Sequence, residues 1–511
     1  MRGCDAWLVV LLPVGLAGCA TSSLEMAPDR PDRPWTPPTT ESGEIIAGKK
    51  PVPGAGRGSG YVLPSNTAVG GVAPPPPNLD ANKVYSLPEL IDIAESNNPL
   101  TRIAWNEARK VALAAGIAEA TYLPKITATT VYTWLSGGLS GSGAGDGVQS
   151  NTSANGTISA VSLQWLLFDF GERTAIIDAA KQASVISNIA FTAVHQQVIY
   201  AVSLAFYVHA AARAHLATTA QSLANAKLVQ TAAEDRFKRE IGTAIEVAQA
   251  RQATAQAELA LVQATGGAQD AYLGLISAMG ISPLTKIKVA DASGRKLSAT
   301  MAEPVESMIN ASLARRPDVL TAYAAQKASL ANVRAAQAEF MPKVFLAANG
   351  VYNSGSLNIT AIPSIGQQSA TFNLNNNRFG GSVLAGVTLP LYDGGTRSAV
   401  LAQARAEADS AEARLTRVRD DAVRQIVLAD NALRTSLSAH SASEALQAAA
   451  QTTFDATLAA YRSGVGSITE LTIAQTQLLV ARNATTDAYS TALTAAATLA
   501  LATGALGQVP P

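Results

Sequence analysis

Ile126-Thr127-Ala128-Thr129-Thr130-Val131-Tyr132-Thr133-Trp134 is the stretch that decides the fold. Side chains of an extended strand point alternately to opposite faces. Ile126, Ala128, Thr130, Tyr132 and Trp134 therefore share one face, and Thr127, Thr129, Val131 and Thr133 share the other. A glycine-serine run follows, Gly137 to Gly147. Alternation then resumes, with Val161, Leu163, Trp165 and Leu167 against Ser162 and Gln164. Two alternating runs around a polar loop predict a β-hairpin over residues 125–168. Its strands are expected to run about 9–12 residues, the length a tilted strand needs to cross a bilayer.

The same pattern occurs a second time. Val344 to Tyr352 precedes a loop rich in Asn, Ser and Gly, and Val383, Ala385, Val387, Leu389 and Leu391 then alternate with Ser382, Gly386 and Thr388. The chain is duplicated around these hairpins. Asn98-Pro99-Leu100 answers to Arg316-Pro317-Asp318, and Leu123-Pro124-Lys125 to Met341-Pro342-Lys343, both 218 positions apart. Beyond the hairpin the spacing is 224. Phe168-Asp169-Phe170-Gly171 answers to Tyr392-Asp393-Gly394-Gly395, Phe237 to Tyr461, Ile241-Gly242 to Val465-Gly466, and Glu246 to Glu470. The six extra residues of the second copy are expected in a loop.

After each hairpin an alanine-rich segment without proline runs from about Thr174 to Arg239, and from about Ser398 to Arg462. At about 1.5 Å per residue each predicts a helix on the order of 100 Å long. Return helices are expected at 244–278 and 468–503. Such lengths suggest coiled-coil packing. The organisation read from this is a leader at 1–18, a tether at 19–82, a first repeat at 83–290 and a second at 291–511. Within the repeats the hairpins lie near 125–168 and 343–392, and the long helical hairpins near 172–280 and 396–503.

The bulk numbers narrow the class. Lys plus Arg equals Asp plus Glu, 38 each, so a nucleic-acid partner, which asks for a basic excess, is not indicated. The two cysteines, Cys4 and Cys19, both precede residue 20, so no disulfide framework holds the fold. Arg2 and the apolar stretch Ala6 to Leu16 resemble a signal peptide, and Leu16-Ala17-Gly18-Cys19 resembles a bacterial lipobox, which implies cleavage before Cys19 and its acylation. Residue Ala20 is not the aspartate that retains such lipoproteins at the inner membrane. The segment from Ala20 to Asn82, with Pro74-Pro75-Pro76-Pro77, is too rich in Pro, Gly, Ser and Thr to bury a core and reads as an extended tether. No later stretch reaches about 18 uninterrupted apolar residues, so no membrane-spanning helix is expected.

Sheets in lipid tolerate no free edge, because each unpaired backbone group costs several kcal/mol there. Four strands cannot close a membrane barrel alone, since the smallest use about eight. Several chains must pool their strands, and twelve leave an open lumen where eight would be filled by side chains.

Over nearly the whole chain after the tether the sequence resembles the TolC-type outer-membrane factors, in their lipoprotein, multidrug-efflux (OprM-like) branch. Four features carry the resemblance: the lipobox; Arg315-Arg316-Pro317-Asp318-Val319; Leu389-Pro390-Leu391-Tyr392-Asp393-Gly394-Gly395; and Tyr461-Arg462-Ser463-Gly464-Val465. It implies an α+β membrane protein, a homotrimer whose twelve-stranded β-barrel, four strands per chain, continues as a long periplasmic α-helical barrel. It also implies a lipid-anchored site in the outer membrane, and partnership with a periplasmic adaptor and an inner-membrane pump that supplies the energy. The implied function is passive export of drugs or other small molecules; the alternatives are the conduit of a type I protein secretion system and, outside the family, a non-conducting lipoprotein scaffold.

The resemblance places the periplasmic tip, where the tunnel narrows and the adaptor docks, at Arg239 to Thr243 and Ser463 to Ser467, with Arg239, Gly242, Arg462, Gly464 and Gly466 as contact residues. The second turn keeps a family glycine at Gly464. The first has Glu240 there and is expected to rely on Gly242 for the reversal, since glycine accepts positive φ. Glu470 is the candidate gate residue, either ringing the lumen in a trimer or merely solvated outside; Ile473 stands where many members have an acid. Asp169 and Asp393 each follow a strand and precede a long helix, where a carboxylate can accept hydrogen bonds from free amides. His195, His209, His215 and His440 are scattered along helices with no zinc spacing, so neither a metal nor a cofactor is expected, and no catalytic constellation points to an enzyme.

Overall fold

A computed structural model describes residues 79–140, 149–292, 305–362 and 371–507, together with Leu297 and isolated positions between 27 and 76. The leader and Cys19 lie outside the described residues, and the tether is described only at those isolated positions. The chain divides into two units, Met1–Leu79 and Asp80–Pro511. In the first, Thr39 and Ile45 form an isolated antiparallel bridge. The second unit holds both repeats.

Its elements are β1 (Val84–Tyr85), α1 (Leu87–Asn97), α2 (Pro99–Glu119), β2 (Lys125–Ser140), β3 (Gln149–Phe168), α3 (Glu172–Lys238), α4 (Ala244–Ala278), β4 (Lys288–Val289), α5 (Val305–Leu313), α6 (Pro317–Ala338), β5 (Lys343–Ile362), β6 (Thr371–Thr388), α7 (Thr396–Ser463) and α8 (Ile468–Ala502). The four long strands form one antiparallel sheet in the order β2-β3-β5-β6, so β3 and β5 join the two repeats. Among the described residues nothing pairs with the outer sides of β2 and β6, which are left as open edges. β1 and β4 make a small parallel pair.

The strands exceed expectation. They run 16, 20, 20 and 18 residues, and Ser136 to Ser140 lie in the ladder rather than in a loop. Strand preference depends on neighbours more than on residue type. Here β3 is paired on both sides along its length, which carries Gly, Ser and Asn positions that would not form a strand alone. β3 and β5 approach most closely at the facing pair Gly156 and Gly355, where a Cβ at either position would come within 2.8 Å of backbone on the partner strand. The second copy's six extra residues do not sit simply in a loop either. β5 is longer than β2, and Leu389 to Tyr392 separate β6 from Asp393, whereas Phe168 leads directly into Asp169.

One face of this sheet is apolar. Ile126, Tyr132, Trp134, Tyr352, Phe379 and Val383 stand exposed on it, and the opposite face carries Thr127, Thr129, Ser162, Asn349 and Arg378.

α3 and α7 run 67 and 68 residues, about 100 Å each. α3 packs against α4, α6, α2, α8 and α1, and α7 packs against α8 and α6. α3 contains an 18-residue window that is apolar enough to cross a membrane by length and composition alone, although no unbroken apolar run reaches that length, and 22% of the window is buried.

The shorter helices meet end to end. The Asn98 side chain accepts a hydrogen bond from the Leu100 amide and donates one to the Ala278 carbonyl, joining α4 to α2. In the second repeat Arg316 donates to the Ala502 carbonyl at 2.6 Å and Arg315 to the Thr503 carbonyl at 2.7 Å, joining α8 to α6. Each joint satisfies carbonyls that a helix end leaves orphaned.

Candidate functional site

The helical hairpins end in two turns of the same design. After α7, the Gly464 amide donates to the Tyr461 carbonyl, and the Val465 and Gly466 amides donate to the Ala460 carbonyl. After α3, Glu240 donates to Phe237, and Ile241 and Gly242 donate to Arg236. This is the Schellman closure, which needs one residue in the left-handed region. Gly464 takes it with φ 86°, and Glu240 takes it with φ 60°. The reversal of the first turn therefore rests on Glu240, not on Gly242. Gly242 and Gly466 are required for a different reason. A Cβ on either would press into the end of the preceding helix, 3.0 Å from the Phe237 nitrogen and 2.9 Å from the Tyr461 nitrogen.

The next helix begins with Thr243 or Ser467 as its cap. At the second tip the cap is reciprocal: Ser467 Oγ accepts from the Glu470 amide at 3.2 Å, and the Ser467 amide donates to the Glu470 carboxylate at 3.1 Å. The exposed Glu470 side chain is thus occupied as the far half of a capping box. At the first tip Thr243 still caps the Glu246 amide, but the Glu246 carboxylate turns elsewhere. It accepts the Tyr461 hydroxyl at 3.0 Å.

Tyr461 is fully buried between the two helical hairpins, in a cluster with Val229, Ala233, Val247, Leu458, Ile468 and Leu471. The Arg236 guanidinium lies 4.6 Å from its ring centre and donates to its carbonyl. Arg236 Nε is also 3.9 Å from the Glu246 carboxylate. Burial, and then Glu246, push the Tyr461 hydroxyl pKa up to about 12, so it stays a donor. Arg236, Glu246 and Tyr461 thus tie α3, α4 and α7 together at the tip. The matched positions, Ala460 and Glu470 of the second copy and Phe237 of the first, make no such tie. The sequence signal was present, since Glu246 and Tyr461 were already aligned with Glu470 and Phe237. That the two would meet across repeats was not legible without the packing.

The remaining candidates sit apart from this cluster. Arg239 and Arg462 are exposed at the ends of α3 and α7, and Ile473 is exposed on α8. Val465 and Ile241, 84% and 61% exposed, leave both turns apolar at their apex. Asp169 and Asp393 lie at the other end of the long helices. Asp169 accepts from the Gly171 and Arg173 amides and the Arg173 side chain at 2.8 Å, and Asp393 makes the matching set with Gly395 and Arg397. Each arginine also donates to a carbonyl at its strand's exit, Leu166 or Pro390. Burial raises the Asp169 pKa, but the bonds from Arg173 and its charge outweigh this and hold it low; for Asp393 the Arg397 bonds dominate. The first pair is the more deeply buried, and removing one partner there costs about 3–5 kcal/mol.

A family model described as "Outer membrane efflux protein" matches residues 90–281 and 308–505. Protein CyaE of Bordetella pertussis is 30% identical over 443 residues, covering 85% of this chain and 87% of that protein. Outer membrane protein OprJ of Pseudomonas aeruginosa is 28% identical over 304 residues, covering 58% and 59%. Among solved structures, a membrane protein from Pseudomonas aeruginosa superposes with TM-score 0.66 at 24% identity, covering 82% of this chain and 93% of that one. The expected α+β architecture is thus shared with solved members. It lies in the outer membrane and extends into the periplasm, and the chain belongs to the outer membrane efflux protein family, the TolC-type channels.

Proposed function

We propose that three copies close one channel, that it is the passive outer-membrane conduit of a tripartite efflux system for drugs or other small molecules, and that the Arg236–Tyr461–Glu246 tie holds its periplasmic end narrow. The observation that carries the reading is the sheet. It has four strands, an apolar face and two unpaired edges, and lipid forbids such edges. Other copies must cover them. The duplication supplies the register. β3 pairs with β5 so that Val161 faces Gly350 and Ser159 faces Tyr352. Carrying that pairing over by the repeat spacings sets β6 against β2 of the next copy, with Ala385 facing Tyr132 and Val383 facing Trp134. Aromatic and aliphatic side chains then face one another on the lipid side.

The exposed apolar apexes at Val465 and Ile241, flanked by Arg239 and Arg462, suit a periplasmic adaptor, with an inner-membrane pump beyond it supplying the energy. Cys19, acylated, anchors the chain to the same membrane. No step of chemistry is assigned to the channel itself. Of the two acids at the tips, Glu246 rather than Glu470 is coupled to closure, because its carboxylate bridges the two helical hairpins while that of Glu470 is spent within one helix start.

Paired cysteines test the closure: Ala385→Cys with Tyr132→Cys cross-links purified chains into a trimer under oxidation. Cross-linking that stops at dimers, or that occurs equally for Ala385→Cys with Thr133→Cys on the opposite face, removes the proposed barrel. Planar-bilayer conductance of the uncross-linked protein tests the channel.

A further inference from the structure

The matched short helices α2 and α6 have unequal surroundings. α6 lies between α3 and α7, whereas α2, among the described residues, packs along α3 and along no second long helix. α6 turns Val319 and Ala322 to Leu415 and Val418 of α7. Its other flank meets α3, where Arg334 donates to Asp178 at 3.1 Å. On that flank Ala324 and Ala331 are buried and Thr321, Ala328 and Ala335 half-buried. The facing flank of α3 carries Ala175, also buried, and the half-buried Ile186 and Ile189. Bulk on the long helix thus fills space that alanines leave on the short one. The matched flank of α2 is Ile103, Asn106, Lys110, Leu113 and Ile117, and nothing in the chain packs along it. Ile103, Leu113 and Ile117 are 63%, 68% and 72% exposed there. On α7 the positions matched to the α3 flank include Ala399, Ala402, Ala406, Ser410 and Ala413, all exposed.

The bulk has therefore changed sides. Large residues stand on the short helix α2 and small ones on the long helix α7, the reverse of the α3–α6 seam. Carrying the Arg334–Asp178 pair over by the repeat spacings of 218 and 224 sets Gly116 level with Ala402 on an antiparallel α7. Ile117 then falls between Ala399 and Ala402, Leu113 between Ala402 and Ala406, and Ile103 beside Ala413. Each large side chain meets small ones, as a knob meets a hole. Lys110 comes level with Glu407, and Glu107 within a helical turn of Arg414, so charges of opposite sign also meet.

We propose that the open flank of α2 docks on the small-residue flank of α7 in a second copy of this chain, and that the exchanged bulk fixes which flank meets which. Two α2 flanks brought together would overpack, and two α7 flanks would leave voids. Only α2 against α7 fits, which makes the contact head-to-tail, the kind that closes a ring. The proposal rests on the closed-channel reading above and deepens it by naming the helical seam that selects the partner.

The test is sedimentation of the full-length protein in detergent over a range of concentrations. Ala406→Leu, by crowding Leu113, is expected to weaken trimer association about tenfold or more. Leu113→Ala, by leaving a void, weakens it by a similar factor. The double variant puts bulk back on the long helix, as in the α3–α6 seam, and recovers association to within about threefold of the parent. Ala112→Leu leaves association unchanged, because its matched residue Leu330 stays 48% exposed although α6 has a long helix on each side. All these positions are exposed in the single chain, so the variants keep the fold. A parent protein that sediments as a monomer overturns the closed-channel reading and this seam with it. A trimer whose association is unchanged by Ala406→Leu, or is not recovered in the double variant, overturns the seam alone.

Discussion

The two repeats solve the same turns at different cost. Among the described residues only Phe170 and Glu240 hold positive φ without being glycine, at 51° and 60°. Both lie in the first repeat, one at the strand-to-helix junction and one at the tip. The matched positions of the second repeat, Gly394 and Gly464, take the same conformation at 69° and 86° without a Cβ. The left-handed region costs a non-glycine residue about 1–2 kcal/mol. The first repeat therefore carries strain at both ends of its long helical hairpin, and the second carries none. It is also the strained repeat that supplies Arg236 and Glu246, while the relaxed one supplies the buried ring they hold. The difference teaches that the duplication gave two copies of one scaffold, and that closure was then built between them rather than within either.

The strongest way to break this comparison is at the matched aromatic pair. Tyr461→Ala is expected to destabilise the tip by about 3–5 kcal/mol, as for other fully buried aromatics, and to raise single-channel conductance. Phe237→Ala, at the matched half-exposed position, stays within about 1 kcal/mol and leaves conductance unchanged. Equal effects in thermal unfolding and in planar bilayers would mean that the asymmetry has no role in closure.

The backbone contrast predicts opposite signs from opposite exchanges. Gly464→Ala lowers stability by about 1 kcal/mol or more, whereas Glu240→Gly, by releasing strain, raises it by up to about 1 kcal/mol. Calorimetry on both variants checks this, and a loss in both would show that Glu240 is not strained. The two tip acids sharpen the comparison further. Glu246→Gln raises conductance, and Glu470→Gln, confined to its own helix start, changes it little; an unchanged cation preference on removing Glu470 would take it out of the gate.

The smallest effect near neutral pH concerns the Tyr461 proton. Its folded pKa is raised to about 12 from an ordinary 10.0, so the folded state favours the neutral phenol. That contribution is complete below about pH 10 and is lost as pH rises from there through 12. A tyrosinate absorbance step near pH 12 that disappears in Tyr461→Phe is the expected signature, and a step near 10 would place the ring in solvent.

Much of this fold could be read from residues. Period-two alternation at Ile126 to Trp134 marked the hairpins, and the long alanine-rich runs marked the helices, because both follow from the geometry of one element. Strand length did not show, since Ser136 to Ser140 are held by partners distant in sequence. Glu470 drew attention by analogy, whereas the acid that bridges the hairpins is Glu246, whose partner Tyr461 lies 215 positions away. Local chemistry is written in the sequence, but which of two matched acids faces inward is decided by packing.

The end-to-end joints of α4 on α2 and α8 on α6 have a mechanical consequence. Of the four rods that each chain contributes, two are continuous and two are spliced, held at the splice by side-chain hydrogen bonds to terminal carbonyls. A continuous rod passes tension along its covalent backbone. A spliced rod bears compression well but yields under tension at its joint. A pull applied at the periplasmic end would therefore be carried by α3 and α7, while the splices let their partners slip, and the Asn98 joint, with its single amide, would give before the one held by two arginines.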